Sequence, residues 1–435
     1  MMRYKEYKDS GVPWLDKIPS NWATSKIKYL ALEKSSLFMD GDWINGDIIE
    51  PEGIRYLTTG NVGAGQYKEQ GDGYISQKSF VEMNCLPVYP GDILISRLNE
   101  PIARACIVPD TYDRYVVAVD NVVLRPDSDW DKQYLVYCMN TPRYAEEAGL
   151  LSAGTTMQRI SRTKLGTLGL PKPPLPIQRK IVSFLNEATK KIDTAIADRM
   201  KLVALLQEQH TALICSAVTR GIDPAVKMKQ SGLEWIDEIP AHWEVVPAKA
   251  LFSQSKETRH DGDVQLTASQ KYGIISQEDY MALQNSKIVL ADKGLENWKH
   301  VEPNDFIISL RSFQGGLEIS YIPGCITWHY IVLKPSDAVD PEYFKWLFKS
   351  PRYIQALQRT ANFIRDGQDL RFSNFVQVPL PLIPMDEQRE IAEYLNRETA
   401  RIDGIIADVT EQIEKLKEYR QSIISEVVTG KVAVE

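Results

Sequence analysis

Lys8-Asp-Ser-Gly-Val-Pro-Trp-Leu-Asp-Lys-Ile-Pro-Ser-Asn-Trp22 returns later in the chain as Lys229-Gln-Ser-Gly-Leu-Glu-Trp-Ile-Asp-Glu-Ile-Pro-Ala-His-Trp243. Lys, Ser-Gly, Trp, Asp, Ile-Pro and the closing Trp recur in register, so the chain is written twice. Further pairs follow in the same order. Pro90-Gly-Asp-Ile-Leu-Ile-Ser96 matches Pro303-Asn-Asp-Phe-Ile-Ile-Ser309, and Val123-Leu-Arg-Pro126 matches Val332-Leu-Lys-Pro335. Thr141-Pro-Arg-Tyr144 matches Ser350-Pro-Arg-Tyr353. Gln178-Arg179, Leu185-Asn186, Ile192-Asp193 and Ala197-Asp198 match Gln388-Arg389, Leu395-Asn396, Ile402-Asp403 and Ala407-Asp408. Between the blocks the halves diverge, and residues 55–80 and 260–300 share almost nothing. Duplication followed by loop insertion leaves such a record.

Each half reads alike. After the Ser-Gly/Trp/Ile-Pro/Trp opening comes a β-rich stretch, with runs such as Asp92–Ser96, Tyr115–Val119 and Asp305–Ser309 bounded by Gly, Pro and Asn. A short helix is predicted at about 130–148, with a counterpart at about 340–358. Proline hinges follow: Pro171-Lys-Pro-Pro-Leu-Pro176 and Pro379-Leu-Pro-Leu-Ile-Pro384. Proline lacks an amide donor and restrains its predecessor, so it separates strand from helix.

Past each hinge the apolar period changes. Ile181, Leu185, Ala188, Ile192, Ala195, Arg199, Leu202, Leu206, Gln209 and Leu213 follow a 4-3 spacing. Ile391, Leu395, Glu398, Ile402, Ile405, Val409, Gln412, Leu416, Tyr419 and Ile423 repeat it 210 residues on. This seam predicts two helices pairing as a coiled coil, each about 40 residues or roughly 60 Å long at the α-helical rise. The expected interface is Ile181, Leu185, Ile192, Leu202, Leu206 and Leu213 against Ile391, Leu395, Ile402, Ile405, Val409, Leu416 and Ile423. Arg199, Gln209, Glu398 and Gln412 on the seam are expected to set register. The pattern leaves parallel and antiparallel pairing open.

Composition bounds the function. The chain of 435 residues has an ordinary charged fraction and a net charge of -7. That total argues against a simple basic nucleic-acid binder. It hides local cations, however. Residues 151–191 carry Arg159, Arg162, Lys164, Lys172, Arg179, Lys180, Lys190 and Lys191 against Glu187 alone. Residues 343–371 carry six cations against Asp366 and Asp369. No apolar run is long enough to span a bilayer and no secretory signal opens the sequence, which predicts a cytoplasmic protein without membrane contact. The five cysteines lie far apart without a Cys-x-x-Cys pair, so neither zinc nor a disulfide framework is expected.

Enzyme motifs are weak. Gly60-Asn-Val-Gly-Ala-Gly65 lacks dinucleotide and phosphate-loop spacing and predicts a turn. Asp261-Gly-Asp263 and Asp366-Gly-Gln-Asp369 also read as turns, the five histidines show no metal-ligand spacing, and no adenine-methyltransferase Asn-Pro-Pro-Tyr occurs. No metal site and no catalytic residue are expected. Base reading needs Arg or Lys toward guanine and Asn or Gln toward adenine. Candidates in loops or just after apolar runs are Asn61, Arg97, Asn99, Arg104, Gln158 and Arg159 in the first half. Those in the second half are Gln270, Arg311, Gln314, Arg365, Gln368 and Arg371. The repeated Trp14, Trp22, Trp235 and Trp243 read as structural anchors. Two other readings stay open, a coiled-coil assembly scaffold and a nuclease with an unrecognised site.

The ordered set resembles the specificity subunit of type I restriction–modification enzymes. The resemblance rests on the paired openings, the Pro-Gly-Asp-Ile-Leu-Ile-Ser block and Gly154-Thr-Thr-Met-Gln-Arg-Ile-Ser161. It also rests on Leu382-Ile-Pro-Met-Asp-Glu-Gln-Arg-Glu-Ile391 and the ending Ile423-Ile-Ser-Glu-Val-Val-Thr-Gly-Lys431. It covers essentially the whole chain. It implies an α+β protein with two α/β target recognition domains, 1–174 and 222–383. Spacer helices at 175–221 and 384–431 would separate them, followed by a tail at 432–435. The helices would form an antiparallel coiled coil with pseudo-twofold repetition. Each domain would read half of a split, asymmetric site in double-stranded DNA, with the coil setting the spacer. The chain itself would be non-catalytic and bind no cofactor. Two methyltransferase subunits using S-adenosylmethionine would join it, as would restriction subunits using ATP and magnesium. The sequence departs from the family at Ile177-Gln178, where Glu-Gln is usual. It departs again at Arg365-Asp-Gly-Gln-Asp-Leu-Arg-Phe-Ser373, which replaces a second Gly-Thr-Thr.

Overall fold

A computed structural model describes residues 3–154, 158–285, 294–309, 312–360 and 370–434. The chain is α+β and forms two compact units. One combines 1–199 with 411–435, and the other is 200–410. No helix among the described residues is long and apolar enough to cross a membrane.

Both units are built on one plan. In the first, an antiparallel sheet runs in the order Leu37–Asp40, Asn121–Arg125, Ile93–Ser96, Ala105–Ile107. In the second, the matching order is Phe252–Gln254, Ile331–Pro335, Phe306–Ile308, Glu318–Ile319. The central strands are apolar and buried on both faces. Two two-stranded pairs are also repeated, Tyr7–Asp9 with Lys17–Pro19 as Met228–Leu233 with Ile236–Pro240, and Ala23–Lys26 with Gly169–Lys172 as Glu244–Val246 with Leu380–Leu382; elsewhere the units differ. The first adds a three-stranded sheet of Tyr74–Ile75, Ile54–Leu57 and Tyr115–Val117, the second two hairpin-like pairs.

The single short helix expected at 130–148 is two, Lys132–Cys138 and Pro142–Leu151. Its counterpart is likewise two, Pro341–Lys349 and Pro351–Arg359. Pro142 and Pro351 cannot continue a helix but suit a first helical position, so each ends one helix and starts the next.

The repeated residues turn out to be the frame. Trp14 Nε1 donates to Gly169 O at 2.9 Å, and Trp235 Nε1 to Pro379 O at 3.3 Å. The Asp of the Pro-Gly-Asp block is buried and pairs with the next strand: Asp92 with Arg125, Asp305 with Lys334. Gln178 is fully buried; its Oε1 accepts from Asp131 N at 2.8 Å, and its Nε2 donates to Asp129 O and Pro173 O. Gln388 repeats this with Asp340 N at 2.7 Å, Ala338 O and Ile383 O. These glutamines fasten the first turn of each long helix to the loop that caps the short helix before it.

The long helices are Leu175–Arg220 and Met385–Val428. They pair antiparallel. In the first unit Asp193 takes a two-pronged contact from Arg420, and Arg199 Nε donates to Gln412 Oε1 at 3.1 Å. In the second unit His210 faces Asp403 at 3.6 Å. Partner numbers fall as residue numbers rise, which only an antiparallel pair allows. Antiparallel pairing also explains the units: the start of one helix and the end of the other share a core. Ile181, Leu185 and Ile192 pack with Ile423, Ile424, Val427 and Val428; Ile214, Ala217 and Val218 pack with Ile391, Ala392 and Leu395. A buried tyrosine seals each junction. Tyr134 OH reaches Val428 O at 3.1 Å, and Tyr343 OH reaches Val218 O at 2.9 Å. Gly221 and Gly430 then stop the helices at φ near +75°. A Cβ on Gly430 would lie 2.4 Å from Pro19 Cδ, so only glycine fits there.

The seam departs from the expected heptads. Ile181, Leu185, Ile192, Leu206, Leu213, Ile391, Leu395, Ile402, Val409, Leu416 and Ile423 are buried or half-buried, but Leu202 is 43% exposed and Ile405 37%. Gln209, Gln412 and Tyr419 are also exposed. Their neighbours Val203, His210, Ile406, Ile413 and Arg420 are less exposed or buried. The stripe therefore follows the 3.6-residue period of a straight helix, not the 3.5 of a supercoil, and drifts by one residue over its length.

Candidate nucleic-acid interface

In the first unit the loops bearing all six candidates adjoin. Residues 58–70, 97–105, 153–154 and 158–160 are tied together by backbone bonds. Ile160 N donates to Arg97 O at 3.0 Å, Gly65 N to Ala105 O at 3.0 Å, and Ala153 and Arg159 exchange a bonded pair. Gly60–Gly65 is part of a turn closed by Gly63 N donating to Gln66 O. A Cβ on Gly63 would lie 2.6 Å from that carbonyl.

The six candidates divide by burial. Asn61 is buried; it accepts from Thr58 N at 2.8 Å and donates to Lys68 O and Gln70 O, so it shapes its loop. Arg104 is a staple. Its guanidinium donates to Val62, Thr59, Leu98, Asn99 and Pro101 carbonyls and fastens loop 58–70 to loop 97–104. Arg97 is buried, donates to Val119 O at 2.5 Å, and lies 3.4 Å from Asp40 and 3.8 Å from Asp120. Burial lowers the pKa of both guanidinium groups, with Asp40 and Asp120 opposing this at Arg97. Asn61, Arg97 and Arg104 are thus engaged by protein partners within the scaffold.

Asn99, Gln158 and Arg159 are exposed on adjoining loops. Asn99 sits at φ +61°, a conformation asparagine tolerates better than most residues, and its amide N–H donates to Gln158 O at 3.4 Å. Arg159 pairs with Asp120 at 2.7 Å while remaining half exposed. Arg162, on the same patch, lies 3.3 Å from Asp40 and donates to Phe38 O. Three arginines thus surround two aspartates, leaving net positive charge with amide groups beside it. Such a surface can hold phosphate and present paired donors and acceptors to base edges. Sequence reading missed Asp40 and Asp120 because a strand and a turn far apart in sequence carry them.

In the second unit Gln270 and Gln314 are exposed, and the Gln270 side chain lies against Gly315, where a Cβ would be 2.9 Å from its Nε2. Arg371 is exposed at the start of the turn of helix Phe372–Phe375. Arg311, Arg365 and Gln368 lie outside the described residues. His260 and His300 stack with ring centroids 3.8 Å apart.

The departure at Ile177 has a local consequence. Trp243 Nε1 donates to Glu387 Oε2 at 3.0 Å. Ile177 occupies the matching place in the first repeat, and the matching Trp22 Nε1 is buried without a hydrogen-bond partner.

Comparison with known proteins follows the same lines. The model of the type I restriction modification DNA specificity domain matches residues 19–201. The chain is 23% identical over 366 residues to a putative type I restriction enzyme MjaX specificity subunit of Methanocaldococcus jannaschii, covering 79% of each chain. It is 20% identical to the EcoKI specificity subunit of Escherichia coli K12, covering 72% of this chain and 68% of that one. Its fold is similar to a chain from a structure of type I R-M system assembly and conformational transition, with TM-score 0.68 and 14% identity. That match covers 95% of this chain and 99% of the other. It is similar also to the HsdS subunit of Thermoanaerobacter tengcongensis, with TM-score 0.53 and 14% identity, covering 95% and 98%.

Proposed function

We propose that this chain is a specificity subunit of the type I restriction–modification kind, to which it is similar in sequence and fold, and that it reads a split, asymmetric site in double-stranded DNA, one half with each unit. One observation carries the reading. The units share a frame side chain for side chain, from Gln178 and Gln388 to Tyr134 and Tyr343, yet differ in the loops that bear exposed amide and guanidinium groups. A duplicated frame with unlike loops suits two unlike half-sites. The paired helices of 46 and 44 residues set the spacer.

The chain acts without catalysis of its own. Two methyltransferase subunits bring S-adenosylmethionine and modify adenine, and restriction subunits bring ATP and magnesium, all in the cytoplasm. Asn99, Gln158 and Arg159 face one half-site; Gln270, Gln314 and Arg371 face the other, with Arg311, Arg365 and Gln368 as further candidates there.

Arg159→Ala tests the first reader. It removes one phosphate-range cation and leaves the sheet untouched. DNA affinity of the complex with its methyltransferase partner should fall by about 1–3 kcal/mol, and the salt slope by about 1 if the contact is to phosphate. Arg371→Ala should do the same for the second half-site. Fluorescence anisotropy at several salt concentrations reads both effects, and circular dichroism checks the fold. Unchanged affinity for both at moderate salt removes these residues from the interface.

A further inference from the structure

Among the described residues, the second unit holds a cluster that the first does not. His300 is buried on the strand Lys299–Val301. The loop after Phe252–Gln254 runs beside it: His300 N donates to Glu257 O at 3.1 Å, and Arg259 N to Trp298 O at 2.8 Å. The loop then turns sharply. His260 N donates to Asp263 Oδ2 at 2.8 Å, and Gly262 takes φ +89°. This fold-back stacks the His260 ring on His300 and sets His260 Nε2 3.0 Å from Glu257 Oε1. One donor atom from each of Glu257, His260 and His300 lies within 4.8 Å of the others. Around them, His300 Nδ1 is 2.8 Å from Asp263 Oδ2, and Nε2 is 2.8 Å from Glu302 Oε1.

We propose that Glu257, His260 and His300 form a binding site for a divalent transition-metal ion of the zinc class. The donor set argues for that class. Two imidazole nitrogens and one carboxylate suit zinc and its neighbours, whereas magnesium and calcium take oxygen. Three protein ligands leave a fourth position for water. The outer shell is also present: whichever nitrogen of His300 turns to the ion, the other stays on a carboxylate, Asp263 or Glu302, which holds the ring and raises its basicity. Three carboxylates around two imidazoles give the place a negative charge before any ion enters. Glu257 and His260 are about half exposed, so an ion can reach them, and its binding would clamp loop 257–263 to the His300 strand. His260 and His300 stand at the two ends of the stretch 260–300, in which the two halves share almost nothing, so the ion would stiffen one reader alone.

The test uses the full chain, purified without an affinity tag, titrated with zinc chloride in a calorimeter and with cobalt(II) as a spectroscopic probe. One zinc per chain should bind saturably, and the metal should raise the melting temperature. His260→Asn and Glu257→Gln alter exposed residues and should leave the metal-free melting curve unchanged. Each should weaken zinc binding by more than about tenfold, and removing whichever carboxylate stays on His300, by Asp263→Asn or Glu302→Gln, should weaken it by about 10- to 100-fold. The proposal fails if the wild-type chain binds no zinc at one-to-one stoichiometry. It fails equally if the His260→Asn/Glu257→Gln double variant binds zinc and shifts the cobalt spectrum as the wild type does.

Discussion

Gln388→Ala should cost the second unit roughly 3–5 kcal/mol of stability, since each buried backbone group left without its partner costs about 1–3 kcal/mol. The side chain is fully buried and makes three hydrogen bonds, to Asp340 N, Ala338 O and Ile383 O. Alanine removes all three and leaves space that is too enclosed for solvent to repair the loss freely. The effect should also be local in kind. Asp340 caps the helix Pro341–Lys349 through Tyr343 N, so releasing its backbone loosens that cap. Gln178→Ala should do the same in the first unit, where the partners are Asp131 N, Asp129 O and Pro173 O. The two sites share no partner, so the double variant should lose about the sum. Urea unfolding followed by tryptophan fluorescence measures each loss. A cost below about 1 kcal/mol would show that these glutamines are not the fasteners of the helix starts.

The second large effect concerns the seam. Ile402→Ala should cost about 2–5 kcal/mol, because the side chain is 2% exposed in the helix pair and a cavity replaces it. Ile405→Ala, one turn away, should cost no more than about 0.5 kcal/mol, as for an exposed helical position. Both lie on the heptad seam that the sequence offers, so a supercoiled pair would make their costs similar. The contrast between them reads the stripe directly. Comparable losses at Ile402 and Ile405 would restore the 3.5-residue period and with it a left-handed supercoil.

Much of the frame could be read from the residues alone. The repeat, the proline hinges, the long helices and the anchoring role of Trp14 and Trp235 all follow from pattern and chemistry. The seam was ambiguous for a physical reason. Leu202 stands beside Val203, Ile405 beside Ile406, and Gln412 beside Ile413, so two adjacent residues could each take the buried place. Only the accumulated drift of a straight helix chooses between them. The readers were less legible. Arg97 and Arg104 have the residue type and the loop position of base-reading groups, but Asp40, Asp120 and a ring of carbonyls from distant segments draw them inward. Asn61 is drawn inward likewise, since the carbonyls of Lys68 and Gln70 occupy its amide. The stacked His260 and His300 are equally invisible to spacing, because a sheet and a tight turn bring them together.

The central claim is that one duplicated frame carries two unlike readers. Mapping methylated adenines by single-molecule sequencing, in cells that express this chain with its methyltransferase partner, tests it most directly. The account predicts a split motif of two unrelated halves separated by a spacer of fixed length. Substitutions at Arg159 should relax only one half, and substitutions at Arg371 only the other. A continuous palindromic motif, or one in which a single substitution relaxes both halves together, would contradict it.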